Sequence, residues 1–247
     1  MTYCLAMRLD EGLLFMSDTR TNAGVDNVST YRKLHVFRPD DQRLFVLQSA
    51  GNLATTQEVL DRITRDLTGP GPSLATVDHL FEAAIYLGEL SAATAARHEA
   101  TLGTGATATF ILGGQVGTDP PDILLVYPAG NYIRASDDVP FLQIGEAKYG
   151  KSYLDLAVRS NAALNTAAKI ALSSMVSTAV ANLSVGPPYD IGIYDRDSFE
   201  LRHARIDGDS PYLARLSATW SEHMLAAVHA LPSLEPGDIQ VLSPDHD

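Results

Sequence analysis

Three residues near the start of the chain carry groups suited to activating a nucleophile. If Met1 is removed, Thr2 presents a hydroxyl and a free α-amine on one residue, a nucleophile carrying its own base. An alcohol attacks poorly at pH 7 unless a base takes its proton as it does so. Two apolar runs follow, Tyr3 to Leu9 and Gly12 to Ser17, separated by Asp10-Glu11-Gly12, which has the composition of a tight hairpin turn. That hairpin brings Asp18 back beside Thr2. Beyond a polar segment from Thr19 to Thr30 comes Lys33, just ahead of the strand-like run Leu34 to Phe37. One short segment therefore offers a hydroxyl, a carboxylate and an amine to one place.

The elements that must hold these groups can be read from periodicity. After the hairpin, Leu34 to Phe37 and Arg43 to Gln48 read as strands, and Gly51 breaks the run. Leu53, Thr56, Leu60, Ile63 and Leu67 then recur at helical spacing, with Asn52 as N-cap. A second helix is expected from about Ala75 to about Ala100. Strands follow at Thr107 to Leu112, Ile123 to Tyr127, Tyr132 to Ala135 and Phe141 to Ile144, with turns at Gly113-Gly114 and Ala129-Gly130-Asn131. Helices are expected at roughly Ser152 to Arg159 and Leu164 to Asn182, then a strand pair, Asp190 to Tyr194 and Phe199 to Ile206. This order predicts an α+β fold, a four-layer α/β/β/α sandwich of two antiparallel sheets between helices. Residues 1–208 would form that domain and 209–231 an extra C-terminal helix with Leu213, Leu216, Trp220, Met224 and Val228 on one face. Residues 232–247 would be an acidic, Pro-rich tail with little order.

The pattern Thr2, Ser17-Asp18-Thr19-Arg20, Tyr31-Arg32-Lys33-Leu34 and Ser49-Ala50-Gly51-Asn52 resembles the proteasome β-subunit superfamily of N-terminal-nucleophile hydrolases. Within it, the run from Asn22 to Lys33 is similar to the bacterial branch called Anbu. The resemblance implies the sandwich fold and catalytic roles for Thr2, Asp18 and Lys33, with the backbone N–H of Gly51 binding the oxyanion and Arg20 in a supporting place. Where active β-subunits carry a Gly-Ser pair, this chain reads Gly145-Glu146, so Glu146 is expected to bring a carboxylate from another side. Where they carry Asp before Ser-Gly, it reads Asn182-Leu183-Ser184, in which Asn182 hydrogen-bonds but brings no charge. The resemblance also implies a homo-oligomer, ring-like or helical, acting on peptides or unfolded protein.

Composition bounds these readings. The chain has 247 residues, 45% of them hydrophobic, and a net charge of −12, which suits one large domain and argues against nucleic-acid or anionic-membrane partners. The start lacks a signal peptide, and the longest uncharged run, Ile170 to Tyr189, holds too many hydroxyls and prolines to span a membrane, so a cytoplasmic protein is expected. The single Cys4 forms no internal disulfide and reads as a small buried residue. His79 and Glu82 stand three apart on a helix but lack a third metal ligand, Gly103-Thr104-Gly105 lacks the Lys-Ser/Thr of a phosphate loop, and no G-x-S-x-G occurs. No metal or cofactor is expected. The leading expectation is a threonine peptidase or amide hydrolase. The rivals are a proteasome-like binding scaffold without hydrolytic activity, suggested by Asn182 and Glu146, and an amidase acting on a small metabolite.

Overall fold

The computed structural model describes residues 2–22 and 28–239. In chain order the strands and helices are β1 (Tyr3–Leu9), β2 (Gly12–Asp18), β3 (Arg20–Asn22), β4 (Val28–Thr30), β5 (Leu34–Asp40), β6 (Arg43–Gly51), α1 (Leu53–Asp66), α2 (Leu80–Leu102), β7 (Ala108–Val116), β8 (Asp122–Val126), β9 (Tyr132–Arg134), β10 (Phe141–Gly145), α3 (Ala147–Ala157), α4 (Leu164–Ala181), β11 (Tyr189–Asp195), β12 (Leu201–Ile206) and α5 (Pro211–His229). One five-stranded sheet runs β10-β1-β2-β11-β12 and the other β5-β6-β7-β8-β9, every pairing antiparallel.

Side chains alternate between the faces of a strand, so each central strand feeds two cores. Tyr3, Leu5, Met7 and Leu9 of β1 join α3 and α4 through Leu154, Ala171 and Met175. Cys4 and Ala6 of the same strand face Val46, Ile111 and Ile123 of the other sheet. On that second sheet, Phe45, Leu47, Phe110 and Leu124 turn outward onto Val59, Ile63, Ala84 and Leu87 of α1 and α2. Three cores between four layers give the expected α/β/β/α sandwich. Burial on both faces also explains why β1 and β2 read as unbroken apolar runs.

Several boundaries differ from expectation. Gly113-Gly114 is no turn, because β7 runs straight through it to Val116. A Cβ at Gly113 would sit 2.6 Å from the Phe15 ring, so the glycine is there to let the two sheets approach. The chain reverses instead after Val116, where Asp119 N donates to the Val116 carbonyl. Helix α2 starts at Leu80 rather than about Ala75, and Glu82 accepts from the backbone N–H groups of His79 and Asp78 at 3.1 and 2.8 Å. The His79–Glu82 pair therefore belongs to a helix cap. Helix α3 begins at Ala147, five residues before the expected start, and follows β10 with only Glu146 between. Phe199 lies outside β12, in a turn with φ +49. The polar stretch after Thr19 holds a small ladder, β3 with β4, in register Arg20 to Thr30.

Helix α5 packs by its first half. Leu213 and Leu216 enter the core under α4, and Trp220 donates to Ser177 Oγ at 3.0 Å while meeting Tyr153 edge-on. Met224 and Val228, placed on the same face by the sequence, are exposed. From Pro232 to Ile239 the chain is exposed, with one short turn at Pro236–Asp238, and residues 240–247 of the expected tail lie outside the described residues. Among the described residues no helix is long and apolar enough to cross a membrane.

Candidate active site

The hairpin of β1 and β2 pairs Cys4 with Ser17, which sets Asp18 beside the start of β1. Asp18 is fully buried, and its Oδ1 accepts from the backbone N–H of Tyr3 at 2.9 Å. The same oxygen accepts from Lys33 Nζ at 2.7 Å, and Nζ also donates to the Arg20 carbonyl at 2.6 Å. One carboxylate oxygen thus ties the main chain next to Thr2 to the lysine. Burial pushes the Asp18 carboxyl above the ordinary aspartate range, against the opposing pull of the Lys33 ammonium and the N–H groups of Tyr3 and Gly186.

Lys33 reaches this pair because the segment before β5 crosses between the sheets. Its own carbonyl accepts from Ser49 N at 3.2 Å, which joins it to the end of β6. Only about a twentieth of Lys33 is exposed, so the cation is held in the interior and not on the surface. The neighbouring Cys4 is also fully buried, donates through Sγ to the Ser49 carbonyl at 3.7 Å, and has its thiol pushed up by burial. That fits the expected small packing residue and opposes a thiolate role.

Thr2 is held from the other side. Its carbonyl accepts from Glu146 N at 2.8 Å, and Gly145 pairs with Tyr3 across the β1–β10 ladder. Gly145 has φ +81, and a Cβ there would lie 1.9 Å from the Thr2 carbonyl oxygen, so only glycine fits. Gly51 ends β6 at φ +114, directly before the Asn52 cap of α1, whose Oδ1 accepts from Thr55 N at 3.0 Å. The positive end of the helix therefore lies next to the Gly51 peptide.

Thr2, Lys33, Gly51 and Glu146 line one cleft of about 870 Å3, together with Thr21, Tyr31, Arg32, His35, Ala50, Leu53, Gln57 and Leu60. Asp18 lies behind Lys33. Arg20 does not line the cleft: its guanidinium donates to the Leu183 carbonyl at 2.8 Å and lies against Gly186, clamping the loop after α4. Asn182 and Ser184 stay in that loop, where Asn182 Oδ1 accepts from Ser184 N at 2.9 Å. Neither lines the cleft; both lie in the loop that Arg20 clamps. Met1 and residues 23–27 of the motif-bearing run lie outside the described residues.

Two further groups escaped the sequence reading. Tyr3 carries its hydroxyl into the outer core, where it shares a hydrogen bond with Ser174 at 2.7 Å and accepts from Gln143. Burial pushes this phenol up to about 12. His35 lines the cleft, and burial pushes its imidazole down to about 4. The apolar neighbours of Tyr3 signalled its burial, but nothing local in the sequence signalled a partner 171 positions away. Among the described residues no three His, Cys, Asp or Glu side chains converge as a metal site would require.

No family model matches the chain, and no curated protein matches it. Solved structures do. Anbu (ancestral beta-subunit) from Yersinia bercovieri is 43% identical, covering 95% of this chain and 100% of that one at a TM-score of 0.89. The helical assembly of the Anbu complex from Pseudomonas aeruginosa is 39% identical over 96% and 99% of the two chains, at 0.90. Anbu from Hyphomicrobium sp. strain MC1 is 42% identical over 95% and 100%, at 0.86. With identity of this order along nearly the whole of both chains, and the same fold, the chain belongs to the Anbu family of ancestral proteasome β-subunit-like proteins.

Proposed function

We propose that this protein is an N-terminal threonine hydrolase of peptide or other amide bonds, working in the cytoplasm as a self-assembled homo-oligomer. The observation that carries the reading is the convergence of Thr2, Lys33 and Gly51 on one cleft, with Lys33 bonded to the buried Asp18 at 2.7 Å. In this reading Met1 is removed and Thr2 Oγ attacks the substrate carbonyl carbon. Its proton passes to Lys33, or through a water to the Thr2 α-amine. The carbonyl electron pair moves onto oxygen, and that charge is met by the Gly51 N–H with the α1 dipole behind it. Collapse expels the amine with a proton and leaves an ester on Thr2 Oγ, which water then cleaves. Asp18 orients Lys33 through the same oxygen that fixes Tyr3.

Self-assembly is supported by the Pseudomonas aeruginosa relative, which is described as a helical assembly of the Anbu complex. A ring-like or helical arrangement would enclose the clefts and restrict access to short or unfolded peptides. One observation favours the scaffold reading: Asn182 brings no carboxylate and turns its side-chain oxygen to Ser184 in its own loop.

The test is intact-mass measurement of the full chain before and after exposure to a peptide epoxyketone, a probe that requires both the hydroxyl and the free amine. The expected result is a chain without Met1 that gains one adduct at Thr2, with Thr2→Ala keeping the oligomer and losing the adduct. Retention of Met1 removes the N-terminal mechanism. An assembled chain that lacks Met1 and takes no adduct favours the scaffold. Turnover of small amides with peptide libraries left uncut would narrow the substrate to a small metabolite.

A further inference from the structure

The cleft beside Thr2 holds a positive charge that this chemistry does not use. The charged side chains lining it are Arg32, Lys33 and Glu146. Lys33 is bonded to Asp18, so that pair contributes no net charge. Glu146 adjoins Thr2, its N–H donating to the Thr2 carbonyl, and the freed α-amine would balance its carboxylate whenever it is protonated. His35 is neutral at pH 7: burial pushes it down to about 4, and the nearby Arg32 charge adds to that effect, while a hydrogen bond to the Arg32 main chain and the Asp190 carboxylate oppose it. The guanidinium of Arg32 remains as the unbalanced charge of the cleft.

In an acidic chain that charge is unusual. Arg8, Arg43, Arg62, Arg97, Arg134 and Arg205 each reach a carboxylate, and Arg20 and Arg196 bind backbone carbonyls. Among the described residues the Arg32 side chain has neither an ion pair nor a hydrogen bond. Among the arginines it shares this only with Arg215, which lies outside the cleft. The walls near Arg32 are mixed: Ala50, Leu53 and Leu60 are apolar, whereas Gln57 and the neutral His35 carry hydrogen-bonding groups.

Resting on the reading of this cleft as a hydrolase site, we propose that Arg32 is its specificity-determining residue and binds a carboxylate of the substrate, either an acidic side chain or a free C-terminus. The planar guanidinium takes a carboxylate through two parallel hydrogen bonds, which an ammonium does not match. The apolar wall of Ala50, Leu53 and Leu60 packs the hydrocarbon stem that carries the acid. A net charge of −12 repels anionic peptides from the rest of the surface, so a local cation in the cleft decides which ones are retained.

The test uses full-length Thr2→Ala protein in its assembled state, so that binding is read without turnover. Labelled peptides differing at one residue, Glu, Gln, Leu or Lys, are titrated by fluorescence anisotropy, each with a free and an amidated C-terminus. The expected result is that a peptide bearing the preferred carboxylate binds roughly fivefold tighter than its neutral counterpart, a modest factor because Arg32 is exposed to solvent. Adding Arg32→Gln removes that preference, Arg32→Lys keeps part of it, and Arg32→Glu transfers it to a Lys peptide. A preference that follows the Glu side chain identifies an acidic residue as the ligand, and one that follows the free C-terminus identifies the terminal carboxylate. Equal binding of all peptides, or a preference that survives Arg32→Gln, overturns the proposal. Either result in a protein whose parent takes the Thr2 adduct leaves the hydrolase reading standing, and failure of the adduct overturns that reading separately.

Discussion

The cleft beside Thr2 and the groove beneath α5 are both open hollows, about 870 and 650 Å3 in volume, built from opposite materials. The cleft is walled by strand ends and the first turns of α1. At such ends the backbone must find partners outside its own ladder, and here it finds Asp18, Glu146 and Asn52. The groups around Thr2 and Lys33 are therefore placed by specific bonds, whereas the Arg32 side chain is left without one. The groove is walled by the flanks of α3, α4 and α5, with Tyr153, Leu156, Ile170, Leu216 and Trp220 supplying much of the lining. Helices satisfy their own backbones, so this region is held chiefly by apolar contact, with the Trp220–Ser177 side-chain hydrogen bond beside it. Depth of polar commitment, more than size, separates the cleft proposed to carry chemistry from the groove beneath α5.

The sharpest way to break this contrast is to remove one member of the buried pair. Lys33→Met leaves the Asp18 carboxylate in the interior without its cation, and the expected loss in urea denaturation at pH 7 is about 3 kcal/mol. The penalty attaches to the ionised form. Burial already raises the Asp18 pKa and loss of the lysine raises it further, so the penalty is present above that pKa and is relieved as pH falls through it. The gap between variant and parent should therefore be smaller at about pH 5, and an equal gap at both values would reject the charge account.

A smaller effect is expected where the two regions meet, at the contact of α3 with α4. A Cβ at Gly150 would lie 2.1 Å from Ser174 Oγ and 2.6 Å from Tyr3 Oη, so Gly150→Ala should destabilise by about 1–3 kcal/mol through overpacking. A neutral result in the same denaturation measurement would mean that the helix pair has slack and that Tyr3 is held less firmly than its bonds indicate. The smallest effect belongs to the far half of α5. Leu225 is 59% exposed, and Leu225→Ser should change folding stability by no more than about 0.5 kcal/mol. A loss of several times that would show this face to be covered by another copy and would remove the contrast between the regions.

How much of this was legible depended on the range of the interactions involved. The β1–β2 hairpin, Asp18 at its end and the Asn52 cap are local events, fixed by turn composition and short spacing, and they were readable in order. The layer order followed from the alternation of apolar runs with helical periods. The β3–β4 ladder was missed because it is short and polar, with no apolar face to betray it. Gly113-Gly114 was misread because a glycine needed for close sheet packing has the same local signature as one needed for a turn. The early start of α3 was missed because Ala147 to Lys151 shows little apolar periodicity and the helix rests on Tyr3 and α4. The convergence of Lys33 on Asp18 was legible from their place in one short segment, with the family resemblance adding their roles, whereas the clamp of Arg20 on Leu183 spans 163 positions and has no local trace.

The Tyr3 amide, buried and donating to the Asp18 carboxylate, also sets a clock. A proton on such a nitrogen is traded for deuterium only after its bond to the buried carboxylate opens, so slow exchange is expected at Tyr3. The backbone of α5 beyond Trp220 can exchange by fraying. The residue next to Thr2 is thus expected to be slow to exchange, and in the proposed mechanism the Thr2 hydroxyl would work beside a Lys33 held by a buried carboxylate.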